Sequence, residues 1–353
     1  MIIWTQSDGE KKQIYYSYFN GVIWDHPTSL SDNISLNGQV TYSSQVALNS
    51  EGKIVITWTQ FDGAKNQIFY SYFNGVSWVH PSNLSDNISP DGQDAFYPQV
   101  AMNSDGKIVI SWTQSDGAKN QIFYSYFNGT SWVHPTNLSD NITPDGQDAY
   151  HSQVAMNNEG KMVITWTQHD GAKGQIFYSY FNGVSWVHPA SLSDNISPDG
   201  QHALSSRVVM NSAGKMVITW MQLDGSRYQI FYSYFNGVSW VHPSSISDNI
   251  SPDGTFAFAP QVAMNSEGKI VITWEQSDGA NGQIFYSYFN GVSWVHPTSL
   301  SDNISPDGQP ANNPQVAMNN DGKMIISWPQ FDGTKNQVYY SYFNGSNWKH
   351  PNT

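Results

Sequence analysis

The chain lacks cysteine, has few charged residues and contains no long apolar segment. Of its 353 residues only 12% are charged, and 15 Lys and Arg against 28 Asp and Glu leave a formal net charge of -13. Without cysteine the chain can form neither a disulfide nor a thiolate metal site. Basic residues are too few and too scattered for a nucleic-acid or anionic-membrane partner.

Membrane spans and secretory signals are also missing from the sequence. No apolar run approaches the length that crosses a bilayer, and the first residues lack a charged segment followed by an apolar one. We therefore expect a soluble protein with no membrane insertion. The compartment stays open, with a secreted or cell-surface location slightly favoured.

The hexapeptide YSYFNG recurs seven times at a fixed period of 54 residues, beginning at Tyr16, Tyr70, Tyr124, Tyr178, Tyr232, Tyr286 and Tyr340. A period of this size is typical of repeat architectures, in which each unit buries its apolar face against its neighbours. One copy contains four strand candidates, A to D, at 98–102, 107–112, 121–127 and around 132–133. Asp-Gly and Asn-Gly turns separate them, and no stretch has helical spacing.

Four antiparallel strands per repeat predict an all-β fold, a seven-bladed β-propeller in a single domain. The predicted blades are 1–40 (partial), 41–94, 95–148, 149–202, 203–256, 257–310 and 311–353. Strands B, C and D occur seven times but strand A only six times. We therefore expect one ring whose first blade has three strands, with an open edge at residues 2–5 that could associate with another chain.

The segment PQVAMNSDGKIVISWTQSDGAKNQIFYSYFNG resembles blades of bacterial propellers related to the sialidase and TolB groups. Near-identity between copies resembles the highly repetitive bacterial propellers that arose by internal duplication of one blade. The sialidase Asp-box, Ser-x-Asp-x-Gly-x-x-Trp, is not satisfied, because Asp105 and Gly106 are adjacent and Trp112 lies too far beyond them. The three arginines that the family implies are absent too, since the chain has only Arg207 and Arg227.

Two repeated features of the sequence are candidate metal sites, the histidines and the acidic loops. The VHP histidines lie at equivalent positions of different blades, which cannot converge on one ion, and this favours a structural role: His80, His134, His188, His242 and His296. Asn87, Ser89, Asp91 and Gly92 follow the first positions of a calcium loop, but one carboxylate and a proline favour a turn. We expect no metal site and no cofactor, with calcium as the minor alternative.

Differences between the copies concentrate at one side of the repeat, in the B–C loop and at the end of the D–A loop. Loops on a rigid scaffold usually carry recognition residues, and exposed aromatics suggest contact. The candidate ligand-binding residues are Tyr42, Phe61, Phe96, Tyr97, Tyr150, His151, His169, Leu223, Phe256, Phe258, Asn312, Asn313 and Phe331. Repeated aspartates on this side predict a negative field that disfavours anionic ligands.

The leading interpretation is a non-enzymatic binding module that recognises a carbohydrate or a protein surface and has no catalytic residues. Nearly every carboxylate is a repeated turn residue, whereas an active site requires asymmetry. The alternative is a glycoside hydrolase with a site at the channel mouth, built from the asymmetric positions His151, His169, His202 and Glu275. A scaffold without a ligand of its own is a third possibility.

Overall fold

The computed structural model describes residues 1–351, which form strands, turns and loops without a helix. Asn352 and Thr353, the last residues of the predicted seventh blade, lie outside the described residues. The strands form seven antiparallel sheets, the first with three strands and the others with four. The predicted fold class, an all-β seven-bladed propeller with an incomplete first blade, is confirmed. No helix in residues 1–351 could span a membrane.

Every complete sheet has the order A-B-C-D. The first three blades contain β1 (Ile2–Ser7), β2 (Lys12–Phe19) and β3 (Trp24–Asp25); β4 (Thr41–Leu48), β5 (Ile54–Phe61), β6 (Asn66–Phe73) and β7 (Trp78–Val79); and β8 (Ala95–Met102), β9 (Ile108–Ser115), β10 (Asn120–Phe127) and β11 (Trp132–Val133). The next two contain β12 (Ala149–Met156), β13 (Met162–His169), β14 (Gly174–Phe181) and β15 (Trp186–Val187); and β16 (Ala203–Met210), β17 (Met216–Leu223), β18 (Tyr228–Phe235) and β19 (Trp240–Val241). The last two contain β20 (Ala257–Met264), β21 (Ile270–Ser277), β22 (Gly282–Phe289) and β23 (Trp294–Val295); and β24 (Gln315–Met318), β25 (Met324–Phe331), β26 (Asn336–Phe343) and β27 (Trp348–Lys349).

Strand B is the most deeply buried strand of an interior blade. In β9 every residue from Ile108 to Gln114 is buried, which explains its continuous β-branched run. Strand C, β10, alternates buried and half-buried residues after its buried start. In the first blade β1 is an edge strand that pairs only with β2. Association of another chain with this edge stays a prediction.

The chain divides into two compact units, one of residues 1–164 and 179–188 and one of residues 165–178 and 189–353. Within the first unit, Val55 and Ile68 of the second blade pack against Ile108 and Trp112 of the third. The second unit repeats this arrangement, as Val217 packs with the buried residues of β21. Apolar faces of consecutive blades therefore form the core.

A hydrogen-bond relay fastens the loop between two blades to the following blade. Trp112 Nε1 donates to Gln114 Oε1 at 3.0 Å, and Gln114 Nε2 donates to Pro90 O at 2.6 Å in the preceding D–A loop. Both side chains are buried. Equivalent bonds join Trp220 to Gln222 and Gln222 to Pro198. In the first blade Trp4 still donates to Gln6, but this bond is exposed.

We predict that Gln114→Ala destabilises the protein far more than Gln6→Ala. The first substitution leaves the Trp112 indole and the Pro90 carbonyl without these partners, at a cost of roughly 1–3 kcal/mol for each buried group left unsatisfied. The second removes one exposed bond and should change stability by less than about 0.5 kcal/mol. Urea unfolding of both variants measures the difference, and equal losses would contradict the role of the relay.

Candidate functional site

In the second to sixth blades, most residues expected at the variable end of the D–A loop belong instead to the first strand. Strand A begins at Ala95 in the third blade, three residues before its predicted start. A β-bulge interrupts its pairing between Phe96 and Gln99, and Tyr97 adopts a φ of 56° there. No glycine marks these bulges, so the sequence pattern predicted a loop. Left-handed backbone at non-glycine residues is uncommon and often accompanies functional sites.

The variable residues gather at one end of the sheets. Tyr42, Phe96, Tyr150 and Phe258 are the second residues of their A strands, and Phe61, His169, Leu223 and Phe331 end their B strands. Pairing of Phe96 with Thr113 brings the two sets together, since the start of A lies beside the end of B. Tyr97, His151 and Asn313 have positive φ. Asn312 precedes β24, and its N–H donates to Pro329 O at 3.3 Å.

One aromatic cluster lies in the first unit. The ring centroid of Tyr97 is 6.0 Å from that of Phe96 and 6.4 Å from that of His151. Tyr150 lies 6.3 Å from His151, and its hydroxyl accepts a hydrogen bond from Asn120 Nδ2 at 3.3 Å. Side chains that are 54 residues apart in the chain, Tyr97 and His151, are thus brought together.

A second aromatic cluster lies in the second unit and includes two parallel phenyl rings. Phe256 and Phe258 stack with centroids 5.8 Å apart and planes within 3°, and both rings are exposed. Tyr228 contacts Phe258 with centroids 6.3 Å apart. Exposed stacked rings offer a flat apolar surface of the kind that packs against a sugar ring.

Glu275 is directly opposite Phe258 in the sheet, as its cross-strand neighbour. The equivalent residue of the other blades is neutral: Thr5, Thr59, Thr113, Thr167, Met221 and Pro329. The carboxylate of Glu275 is half-buried and accepts a hydrogen bond from the backbone N–H of Asn313, with 3.3 Å from N to Oε2. Burial raises the pKa of this carboxyl above its ordinary value, and the bond from Asn313 offsets only part of that effect.

Gly282 provides the space that the Glu275 carboxylate occupies. A Cβ atom at Gly282 would lie 3.0 Å from Glu275 Oε1 and 3.1 Å from Ala311 O, closer than real Cβ contacts ordinarily come. The second and third blades have Asn66 and Asn120 at this position. Sequence reasoning missed Gly282 because it resembles an ordinary turn glycine, although a comparison of residues 54 apart would have found it.

The asymmetric histidines of the hydrolase alternative fall into two places. His151 belongs to the aromatic cluster of the first unit. His169 and His202 meet edge to face in the second unit, with ring centroids 6.2 Å apart. His202 Nδ1 accepts the backbone N–H of Gly174 at 3.0 Å. Burial and the nearby Lys173 lower the pKa of His202, so its imidazole is neutral at pH 7.

The repeated histidines and acidic loops have internal partners. His80 Nδ1 forms a hydrogen bond with Ser71 Oγ at 2.9 Å, and the imidazole ring stacks on Trp78. Burial lowers the pKa of His80. In the loop considered for calcium, Asn87 Nδ2 donates to Ser89 O and Asp91 Oδ1. The described part of the chain contains no group of three or more His, Asp or Glu that could hold a metal ion.

Solved structures similar to this chain include carbohydrate-active enzymes. A PL25 ulvan lyase has a TM-score of 0.55 and 12% identity, covering 96% of this chain and 88% of that chain. A PL25 ulvan lyase bound to a saccharide of GlcA and Rha3S has a TM-score of 0.54 and 12% identity, with the same coverage of 96% and 88%. The GH93 α-L-arabinofuranosidase of Fusarium graminearum has a TM-score of 0.44 and 15% identity, covering 86% and 92%. A search of curated proteins found no match.

The fold shared with a polysaccharide lyase contradicts the expectation of a non-enzymatic binding module and favours the enzymatic alternative. The expectation was wrong because it treated near-identity of the copies as an absence of the asymmetry that catalysis needs. Glu275 shows that one substituted position in one blade is enough to create a distinct carboxyl environment.

The sequence model of the BNR repeat-containing family matches residues 77–300, in agreement with the resemblance to sialidase-like propellers. Since this match covers more than half of the chain, the protein belongs to the BNR repeat-containing family.

Proposed function

We propose that the protein is a glycoside hydrolase that cleaves linkages within a polysaccharide, with its active site beside Glu275. The observation that carries the proposal is a half-buried carboxyl of raised pKa next to two exposed, stacked phenyl rings. A carboxyl of raised pKa holds more readily the proton that it can give to the leaving oxygen of a glycosidic bond. The phenyl pair, Phe256 and Phe258, offers a surface on which an adjacent sugar ring stacks.

Hydrolysis needs a second carboxylate that acts as a base or a nucleophile. Asp278 begins the B–C turn three residues after Glu275, at the same end of the sheet. Its Oδ1 accepts the N–H groups of Ala280 and Asn281, which holds the side chain in place. Its Oδ2 makes no hydrogen bond within residues 1–351, so we assign Asp278 as the second carboxylate.

Similarity to a polysaccharide lyase of the same fold supports a saccharide substrate. A hydrolase and a lyase differ in their products, because a lyase leaves an unsaturated sugar whereas a hydrolase adds water. Several blades of the second unit also present variable residues at the same end of their sheets, among them His169, Leu223 and Phe258, which provides several positions for a long polymer. The proposal therefore concerns a polymer rather than a small glycoside.

We predict that Glu275→Gln lowers the rate of polysaccharide cleavage by about 10²–10⁴-fold, because it removes the proton donor. Release of reducing ends from ulvan, polygalacturonan, arabinan and xylan is the measurement. Glu267→Gln in the same blade is the matched control, since Glu267 is exposed and forms an ion pair with Lys269. No cleavage of any polymer, or equal activity of the two variants, would contradict the proposal.

Asp278→Asn should also lower the cleavage rate by two orders of magnitude or more, since a carboxylate would be lost from the reaction. Asp116→Asn is its control, because Asp116 has the same turn contacts to Ala118 and Lys119 in the third blade. Reducing-end assays compare the two variants. If both variants lose activity equally, the loss comes from the altered turn and Asp278 is not the second carboxylate. An unsaturated product that absorbs in the ultraviolet would show that the reaction is elimination rather than hydrolysis.

The raised pKa of Glu275 predicts opposite effects of Glu275→Gln on activity and on stability. Native protein binds this proton more tightly than unfolded protein, so stability falls as pH rises from the ordinary pKa of glutamate, about 4.3, through the native value. The variant should therefore have a higher Tm than the wild type above the native pKa, and this gain should vanish at more acidic pH. Thermal unfolding across that range checks the sign, with Glu267→Gln as the reference.

A further inference from the structure

Two lysines in the first unit pair with aspartates at the variable end of the sheets. Lys65 Nζ lies 3.7 Å from Asp94 Oδ2, and Lys119 Nζ lies 3.4 Å from Asp148 Oδ2. The other oxygen of each aspartate accepts a backbone N–H at 2.9 Å, from Asn66 and Asn120 respectively. Each lysine is thus neutralised by a carboxylate that also anchors the start of strand C.

The next copy of this arrangement, in the second unit, has a histidine where the aspartate should be. His202 occupies the position of Asp94 and Asp148, and its Nδ1 accepts the N–H of Gly174 at 3.0 Å. The structural hydrogen bond is kept, but the negative charge is lost. Lys173 is half-buried, and no carboxylate of residues 1–351 lies within ion-pair distance of its Nζ.

Other polar groups surround this lysine. Asp170 is the carboxylate nearest to Lys173 in sequence. Its Oδ1 accepts the N–H groups of Ala172 and Lys173, and its Oδ2 accepts Gln175 Nε2. The exposed ring of His169 meets His202 at 6.2 Å. Because Nδ1 of neutral His202 is an acceptor, its Nε2 carries the proton and is a donor.

We propose that Lys173, His169 and His202 form a subsite for an anionic group of the saccharide substrate, a carboxylate or a sulfate ester. Lys173 supplies a charge that has no ion-pair partner within residues 1–351, and His202 Nε2 supplies a directed N–H donor. This inference rests on the proposed polysaccharide substrate and specifies that it is acidic. It also revises the expected rejection of anionic ligands, because local charge at this subsite departs from the charge of the whole chain.

The subsite lies at the same end of its sheet as Glu275 does. His169 is the last residue of a B strand, and His202 directly precedes an A strand. Glu275 is likewise near the end of its B strand, two residues before Ser277. Both places belong to the second unit. A polymer with repeated anionic groups can therefore be selected at one position and cleaved at another.

Binding is tested in the Glu275→Gln background, in which cleavage is blocked. Isothermal titration calorimetry with polygalacturonan, dextran sulfate and unmodified dextran distinguishes a carboxylate, a sulfate and a neutral polymer. We expect binding of at least one acidic polymer and none of dextran. Lys173→Ala should weaken this binding about ten- to a hundredfold, as expected for a lost hydrogen bond to a charged group.

Two further variants separate recognition from folding. His202→Asp restores the lysine–aspartate pair of the earlier blades, so it should fold normally and lose the acidic preference. Lys119→Ala removes a lysine that is already paired and should bind as tightly as its Glu275→Gln parent. The proposed subsite would be wrong if Lys119→Ala and Lys173→Ala weakened binding of the acidic polymer equally. It would also be wrong if His202→Asp left that binding unchanged. Intact cleavage by Glu275→Gln would instead refute the proposed function, so the two failures are distinguishable.

Discussion

The structure depends on the relay in which a buried tryptophan holds a glutamine and the glutamine holds a carbonyl of the preceding loop. In the third blade Trp112, Gln114 and Pro90 form this relay. A buried amide has both donors and acceptors to satisfy, so the glutamine tolerates only one placement of the loop. The relay accordingly holds the loop in place just before strand A begins at Ala95. The variable residues derive their common location from that starting point.

A second set of hydrogen bonds joins consecutive blades at the opposite end of the sheets. Asn49 Nδ2 donates to Asn103 O and Ser104 O of the next blade, and Asn211 makes the corresponding bonds to Asn265 O and Ser266 O. These asparagines recur in each A–B turn, where variation between copies is small. Because these hydrogen bonds are repeated at one end of the sheets, residues at the other end can vary while the packing between consecutive blades is kept.

Much of the fold could be predicted from the sequence because its pattern is repeated. Strands B and C follow from the run at Ile108 and the alternation near Tyr124, and the missing A strand follows from counting copies. The extension of strand A could not be predicted, since Tyr97 and His151 adopt positive φ without glycine. Tertiary bonds such as Gln114 to Pro90 stabilise this backbone, and a local pattern does not encode them.

The candidate site could be predicted only in part. Glu275, His169 and His202 stood out because they differ from their copies, but their environments depend on small or ordinary residues. Gly282 leaves room for a carboxylate, and Lys173 becomes unpaired only because an aspartate is replaced 29 residues later. Such effects arise from contacts between residues of adjacent blades. Periodicity alone describes what the blades share and therefore overlooks them.

We propose that function depends on the few positions of the second unit whose residues differ from those at the equivalent positions of other blades. A single chain carrying Glu275→Thr, Gly282→Asn and His202→Asp restores residues that other blades have at these positions. Cleavage of an acidic polysaccharide by this chain, measured together with its Tm, tests the claim directly. We expect activity to disappear while the Tm is equal to or above that of the wild type. Full activity in the restored chain would contradict the account.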